Sequence, residues 1–189
     1  MDFNDVGPQK NFDVIPDGTI ATVRMTIRAG NAGEGGWAKR SKDGNSESLD
    51  CEFVVLDGEH AKRKFWTMLL IAGTTPGHAE AADITARKLR AILESVHGIK
   101  PGDASDQAKA ARRIVSYGDL DGASFIAKIS VEPARNGFKA KNVLDRVIGT
   151  DEKEWHPVKQ EPKPAAPATA TAKPSSTPAI VRPAWADKR

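Results

Sequence analysis

Residues Ser46–Ile71 read SESLDCEFVVLDGEHAKRKFWTMLLI. Leu49, Cys51, Phe53 and Val55 alternate with Asp50 and Glu52, the period-two pattern of a strand with one buried face. Asp57-Gly58 then signals a tight turn. The second strand is expected to open with the basic triplet Lys62-Arg63-Lys64, followed directly by Phe65 and Trp66. From Lys64 to Ile71 apolar residues fall on both faces, as in a strand buried on its two sides or wrapped inside a barrel. Cations beside flat rings suit a single-stranded nucleic acid, because the cations meet phosphates and the rings stack on bases. The plainer reading of the same residues is a Phe-Trp pair in the core beside a solvated basic edge, and this segment alone leaves both open.

The same alternation recurs on either side. Ala21, Val23, Met25 and Ile27 share one strand face, opposed by Thr22, Arg24, Thr26 and Arg28. Phe125, Ala127, Ile129 and Val131 form a fourth strand, and Lys139–Ile148 a fifth with Val143 and Val147 on one face. Asn136-Gly137 between these two is a strong hairpin signal. A helix is expected between the third and fourth strands. Thr75 can cap it with Pro76 at its first position, Ile84, Leu89, Ile92, Leu93 and Val96 form its apolar stripe, and Gly98 and Pro101 close it near His97. A shorter helix is expected from Asp106 to Ile114. The predicted fold is therefore mainly β: a five-stranded Greek-key barrel of the oligonucleotide/oligosaccharide-binding (OB-fold) type, with a helix between strands three and four.

Composition divides the chain in two. Residues 1–156 are expected to form the domain, with hydrophobic content sufficient for a core. From Pro157 to Arg189 seven Pro and eight Ala mix with Lys, Thr and Ser, a composition that cannot bury enough apolar surface to order itself. This second part is expected to be a disordered tail. It carries six basic and two acidic residues, a net charge of +4, which leaves residues 1–156 at −1. Any anion-binding face must then arise from segregation of charge, not from excess. No apolar run is long enough to span a membrane, and the polar start MDFNDVGPQKNFD lacks a signal-peptide core, so a cytoplasmic protein is expected. The single cysteine, Cys51, excludes an intramolecular disulfide and fits a buried core position.

Two loops carry the functional signal. Ala29–Asn45, AGNAGEGGWAKRSKDGN, joins the first two predicted strands and holds Trp37, Lys39, Arg40 and Lys42, with Arg28 just before it. The hairpin between the last two strands carries Arg135, Phe138, Lys139 and Lys141. These are the two loops that grip the ligand in such a barrel. The candidate phosphate contacts are Arg28, Lys39, Arg40, Lys62, Arg63, Lys64, Lys139 and Lys141, and the candidate stacking rings are Trp37, Trp66 and Phe138. Trp66 sits on the strand read as buried, so a core role for it stays open.

Other chemistry finds little footing. The glycine loop lacks Gly-Lys-Ser/Thr and precedes a strand, so it is neither a P-loop nor a dinucleotide fingerprint. His60, His78, His97 and His156 are scattered, without metal-ligand or triad spacing. Asp50 and Glu52 share a strand face, a pairing that a two-metal nuclease would need, but a solvated face is the plainer reading. No cofactor, metal or catalytic residue is expected.

Three stretches carry a resemblance: MDFNDVGPQKNFDVIPDGTIATVRMTIR at the start, LDCEFVVLDGEHAKRKFWTMLLI in the middle, and GDLDGASFIAKISVE followed by NGFKAKNVLDRVI. Together they resemble a family of small phage and prophage proteins encoded among replication and recombination genes and long labelled a domain of unknown function. The resemblance covers about residues 1–156 and implies an oligonucleotide-binding-type fold and single-stranded DNA binding. It differs from well-known single-stranded-DNA-binding proteins at the end of the chain, where Trp185-Ala-Asp-Lys-Arg189 is basic and their partner-recruiting tip is acidic. The rival expectation is a protein–protein adaptor that recruits a nuclease, recombinase or helicase of phage or host through the tail or a strand edge. Self-association of the domain stays open.

Overall fold

A computed structural model describes residues 13–135 and 137–161. Five long strands form where the alternation places them: β1 (Thr19–Arg28), β4 (Ser46–Val55), β5 (Lys64–Gly73), β6 (Ser124–Glu132) and β7 (Lys141–Val147). Two short strands, β2 (Asn31–Ala32) and β3 (Ala38–Arg40), fold within the first loop, which the sequence alone suggested was an open glycine-rich connection. The described residues are mainly β, with one antiparallel sheet and two α-helices, α1 (Pro76–His97) and α2 (Asp106–Ala111). Among the described residues no helix is long and apolar enough to cross a membrane.

The long strands follow the path β5-β4-β1-β6-β7, and β3 extends β4 beyond the end of β1. Four antiparallel steps leave β5 and β7 running the same way, and the curl of the sheet brings these two ends near each other. No backbone ladder joins them, so the sheet is open here. Side chains bridge the gap instead. Thr67 Oγ1 accepts from Leu144 N at 2.9 Å, and Lys88 Nζ of α1 donates to Leu144 O at 2.9 Å. Burial pushes the Lys88 pKa below the ordinary lysine value, with Asp145 opposing. Asn142 is buried, and its amide clamps the buried Ile15 through both backbone groups, accepting from its N at 2.7 Å and donating to its O at 2.8 Å.

The sheet's concave face is the core. Phe53 stacks on Phe65 with ring centroids 5.0 Å apart, and Phe125 meets Phe53 edge-on at 6.3 Å. Full burial of one such ring stabilises the fold by about 1.5–3 kcal/mol. Cys51 lies among them, and burial pushes its thiol up to about 12. Thr75 caps α1 by accepting from His78 N, and the left-handed Gly98 ends it, as the sequence signals require. Leu89, Ile92 and Leu93 bury the helix on the core; Ile84, expected in the same stripe, is 48% exposed, and its neighbour Thr85 takes the buried position in that turn. Glu94 is buried where it accepts from Arg90 and Arg112, and Arg112 also donates to the carbonyls of Lys100, Pro101 and Asp103. That cluster fastens the segment around α2, which ends at Ala111 and not at the expected Ile114.

Three expectations change. β5 is not buried on both sides: Phe65 and Leu69 point inward, while Trp66 and Met68 stand 45% and 52% exposed on the outer face. The β4–β5 connection is an eight-residue loop, residues 56–63, so β5 opens at Lys64 and not with the whole basic triplet from Lys62. Asp57 ties it to β1 by accepting from Thr22 N at 3.1 Å and Thr22 Oγ1 at 2.5 Å. In β7 a bulge at Asp145 shifts the register, so Asn142 and Leu144 face inward before it and Val147 after it, while Val143 does not share their face.

The expected boundary at residue 156 falls in a stretch that lies against the domain. Trp155 Nε1 donates to Ser95 Oγ at 3.2 Å, the Gln160 amide pairs with both backbone groups of Ser124, and Glu161 meets Arg24 at 2.6 Å. The remainder of the expected tail, residues 162–189, lies outside the described residues.

Asn142→Ala should lower stability by about 2 kcal/mol, because both polar groups of a buried Ile15 backbone lose their partner. A urea unfolding curve with an unchanged midpoint would show that the clamp contributes nothing.

Candidate nucleic-acid interface

The basic triplet sits where the 56–63 loop re-enters the sheet. Val55 N donates to Arg63 O at 2.9 Å and Lys62 N to Val55 O at 2.7 Å, with Lys62 at φ 68. This left-handed residue turns the triplet toward the seam between β5 and β7, where Arg63 donates to the Asp13 carbonyl. A groove of about 530 Å³ opens there, lined by Asp13, Val14, Lys62, Arg63, Lys64, Trp66, Lys141 and Asn142 among others. A second hollow of about 460 Å³ shares Lys141 and continues along the β6–β7 hairpin past Arg135, Phe138 and Lys139. The combined lining holds six cations against two carboxylates, Asp13 and Glu132. Trp66, in the first hollow, is half exposed, and Phe138, in the second, is 77% exposed. Asn136 of the predicted hairpin turn lies outside the described residues; Gly137 beside it has φ 80, the conformation that turn requires.

The structure therefore gathers seven of the candidate residues: Lys62, Arg63, Lys64, Trp66, Phe138, Lys139 and Lys141. The first loop does not join them. Lys39 lies 3.7 Å from Asp50, and Arg40 donates twice to Glu47 Oε1, at 2.7 and 3.1 Å, so both cations are paired across the β3–β4 ladder. Trp37 is not a solvent-facing platform. It packs against the core, and a Cβ on Gly118 would come within 2.5 Å of its indole. Only glycine lets the 117–120 turn approach the ring so closely. The ring is held because β2 and β3 fold the loop back onto the sheet.

Arg28 reaches the groove's edge indirectly. Its guanidinium lies 5.6 Å from the centroid of the Trp66 ring and donates to Glu52 Oε2 at 2.8 Å. Lys64 Nζ meets Glu52 Oε1 at 2.7 Å, and Trp66 Nε1 donates to Glu52 Oε2 at 3.1 Å. The Lys64 and Arg28 hydrogen bonds hold the Glu52 carboxyl below the usual carboxylate value, against some desolvation. Glu132 is likewise held low by Lys141 and Arg135. Lys62 and Lys139 have no ion pair with a described residue. Asp50 and Glu52, which could have read as a metal-binding pair, are instead engaged by cations.

The sequence pattern did not mark Met68, Asn142 or the Asp13–Val14 wall. Met68 was hidden by the apolar run of β5; the period-two face that it shares with Trp66 was the available signal.

No protein-family model matches the chain, and no curated protein matches it.

Trp37→Ala should destabilise the domain by about 2 kcal/mol, below the range for a fully buried ring, with the loss read as a lower melting temperature. A variant that melts like the parent would place the ring outside the packing. Acid should probe Glu52. Its folded pKa is depressed, so its contribution is present above the ordinary value of 4.5 and disappears as pH falls through the lower folded value. Stability against urea should therefore fall less steeply in Glu52→Gln than in the parent as pH drops from 4.5 to the lower folded value. Identical acid profiles would show that the carboxylate is not stabilised by its three donors.

Proposed function

We propose that this domain binds single-stranded DNA, without catalysis, in the groove between β5 and the β6–β7 hairpin. The observation that carries the reading is the lining: six cations in two hollows that share Lys141, with exposed Trp66 in one and exposed Phe138 in the other. Phosphates would follow Lys62, Arg63, Lys64, Lys141 and Lys139, and bases would stack on Trp66 and Phe138. Duplex is disfavoured, since its bases are paired inward and offer no free faces to the two rings.

The fold supports the same reading. Five long strands with a helix between the third and fourth, and seam edges bridged at Thr67 and Leu144, fit an OB-type barrel left partly open. In such barrels the second and third long strands and the last hairpin form the ligand face. The setting proposed with it, implied by the sequence resemblance alone, is phage or prophage DNA replication or recombination in the host cytoplasm. One observation favours the rival adaptor role: on the outer face Asp50 and Glu52 alternate with Arg28, Lys39 and Lys64, beside exposed Trp66 and Met68. Mixed charge around an apolar strip suits a protein partner.

Fluorescence anisotropy with labelled single- and double-stranded oligonucleotides decides between them. Single strands should bind more tightly, with a log–log salt slope of about −0.7 per phosphate neutralised. Lys62→Ala with Lys139→Ala should weaken binding and flatten that slope. Equal affinity for duplex, or no binding at low salt, would remove the DNA reading and leave the adaptor.

A further inference from the structure

The strand register brings an unusual set of donors onto one carboxylate. Glu52 on β4 stands opposite Trp66 on β5 and Thr26 on β1. Its diagonal neighbours are Lys64, opposite Val54, and Arg28, opposite Asp50. Long side chains reach across such diagonals. Glu52 consequently receives an ammonium, a guanidinium and an indole N–H, with its own side chain only 16% exposed. That is the donor set a phosphate of a bound strand would require. Two of the three donors, Lys64 and Trp66, also line the groove.

We infer that Glu52 occupies the place of a nucleic-acid phosphate and limits the affinity of the groove, an inference that rests on the DNA reading given above. A phosphate approaching Lys64 must displace a carboxylate already bonded to it. Lys62, two residues earlier, lines the same groove and forms no ion pair with a described residue, so a phosphate meeting it displaces no described carboxylate from it. Glu52 also fixes the Trp66 ring through its N–H, so the stacking surface is held ready while the neighbouring charge is masked. Glu52→Gln separates these effects: the amide oxygen still accepts from the indole, but the competing charge is gone.

The test is anisotropy with a labelled oligothymidylate across a salt series. Glu52→Gln is expected to bind about tenfold more tightly at low salt, the range set by releasing two exposed ion pairs. Its salt slope should steepen by about 0.7 for each cation that now meets phosphate. Lys62→Met and Lys64→Met read the same competition with Glu52 intact. The unmasked Lys62 should matter more, so Lys62→Met should lose several-fold more affinity than Lys64→Met. If the parent binds but Glu52→Gln binds no more tightly, or Lys64→Met is as damaging as Lys62→Met, the inference falls and the groove reading stands. If neither the parent nor Glu52→Gln binds the single strand at low salt, the groove reading itself falls.

Discussion

The open seam between β5 and β7 is the constraint on which the rest depends. Two parallel-running edges face each other without a ladder, and each edge carries backbone groups that burial would leave unpaired. Side chains meet that demand at named points. Thr67 takes the Leu144 N–H, Lys88 donates to the Leu144 carbonyl, and Asn142 of β7 clamps the Ile15 backbone. A backbone ladder would draw the edges to about 4.8 Å, whereas side-chain bridges hold them farther apart. The gap at the entry of the seam is the groove.

That origin explains the groove's chemistry. Its walls come from three segments distant in sequence: residues 13–14, the loop leading into β5, and the hairpin leading into β7. A seam end collects the beginnings of strands, and strand beginnings are where polar, charged residues stand before the buried alternation starts. Lys62-Arg63-Lys64 and Lys139 with Lys141 are two such beginnings, brought side by side because β5 and β7 run in the same direction. A domain whose residues 1–156 sum to about neutral charge thus presents a cationic trough.

Much of this architecture was legible because it rests on short-range periodicity. Val23, Met25, Leu49, Cys51, Phe53 and Ile129 point inward as their alternation dictates, and Thr75 and Gly98 bound the long helix as capping chemistry dictates. What escaped depends on tertiary contact. β5 looked buried on both faces because Trp66 and Met68 are apolar, yet among the described residues no layer covers that face. Trp37 looked like a loop residue, yet Gly118, distant in the chain, makes the recess that holds it. Asn142 read as one more polar residue of a strand, and its role appears only once Ile15 lies beside it. The basic residues were all visible in sequence; the carboxylates that pair with most of the candidate cations were visible too, but their register was not.

Pairing changes what each cation contributes. A lysine whose only neighbours are mobile ions releases them when a phosphate arrives, and that release drives binding at low salt. A cation held by an internal carboxylate releases no ion; it exchanges one anion for another, and the carboxylate must find water or a new partner. Arg40 on Glu47, Lys39 on Asp50 and Lys64 on Glu52 belong to this second kind, whereas Lys62 and Lys139 have no such described partner. The salt dependence of a ligand on this domain therefore counts unpaired cations along the seam, not basic residues along the chain. Glu52 and Glu132, both held below the ordinary carboxylate value by their cations, keep this masking in force at neutral pH. The charge that a polyanion meets is set by strand register, which decides which lysines face an acid across the ladder and which face the groove alone.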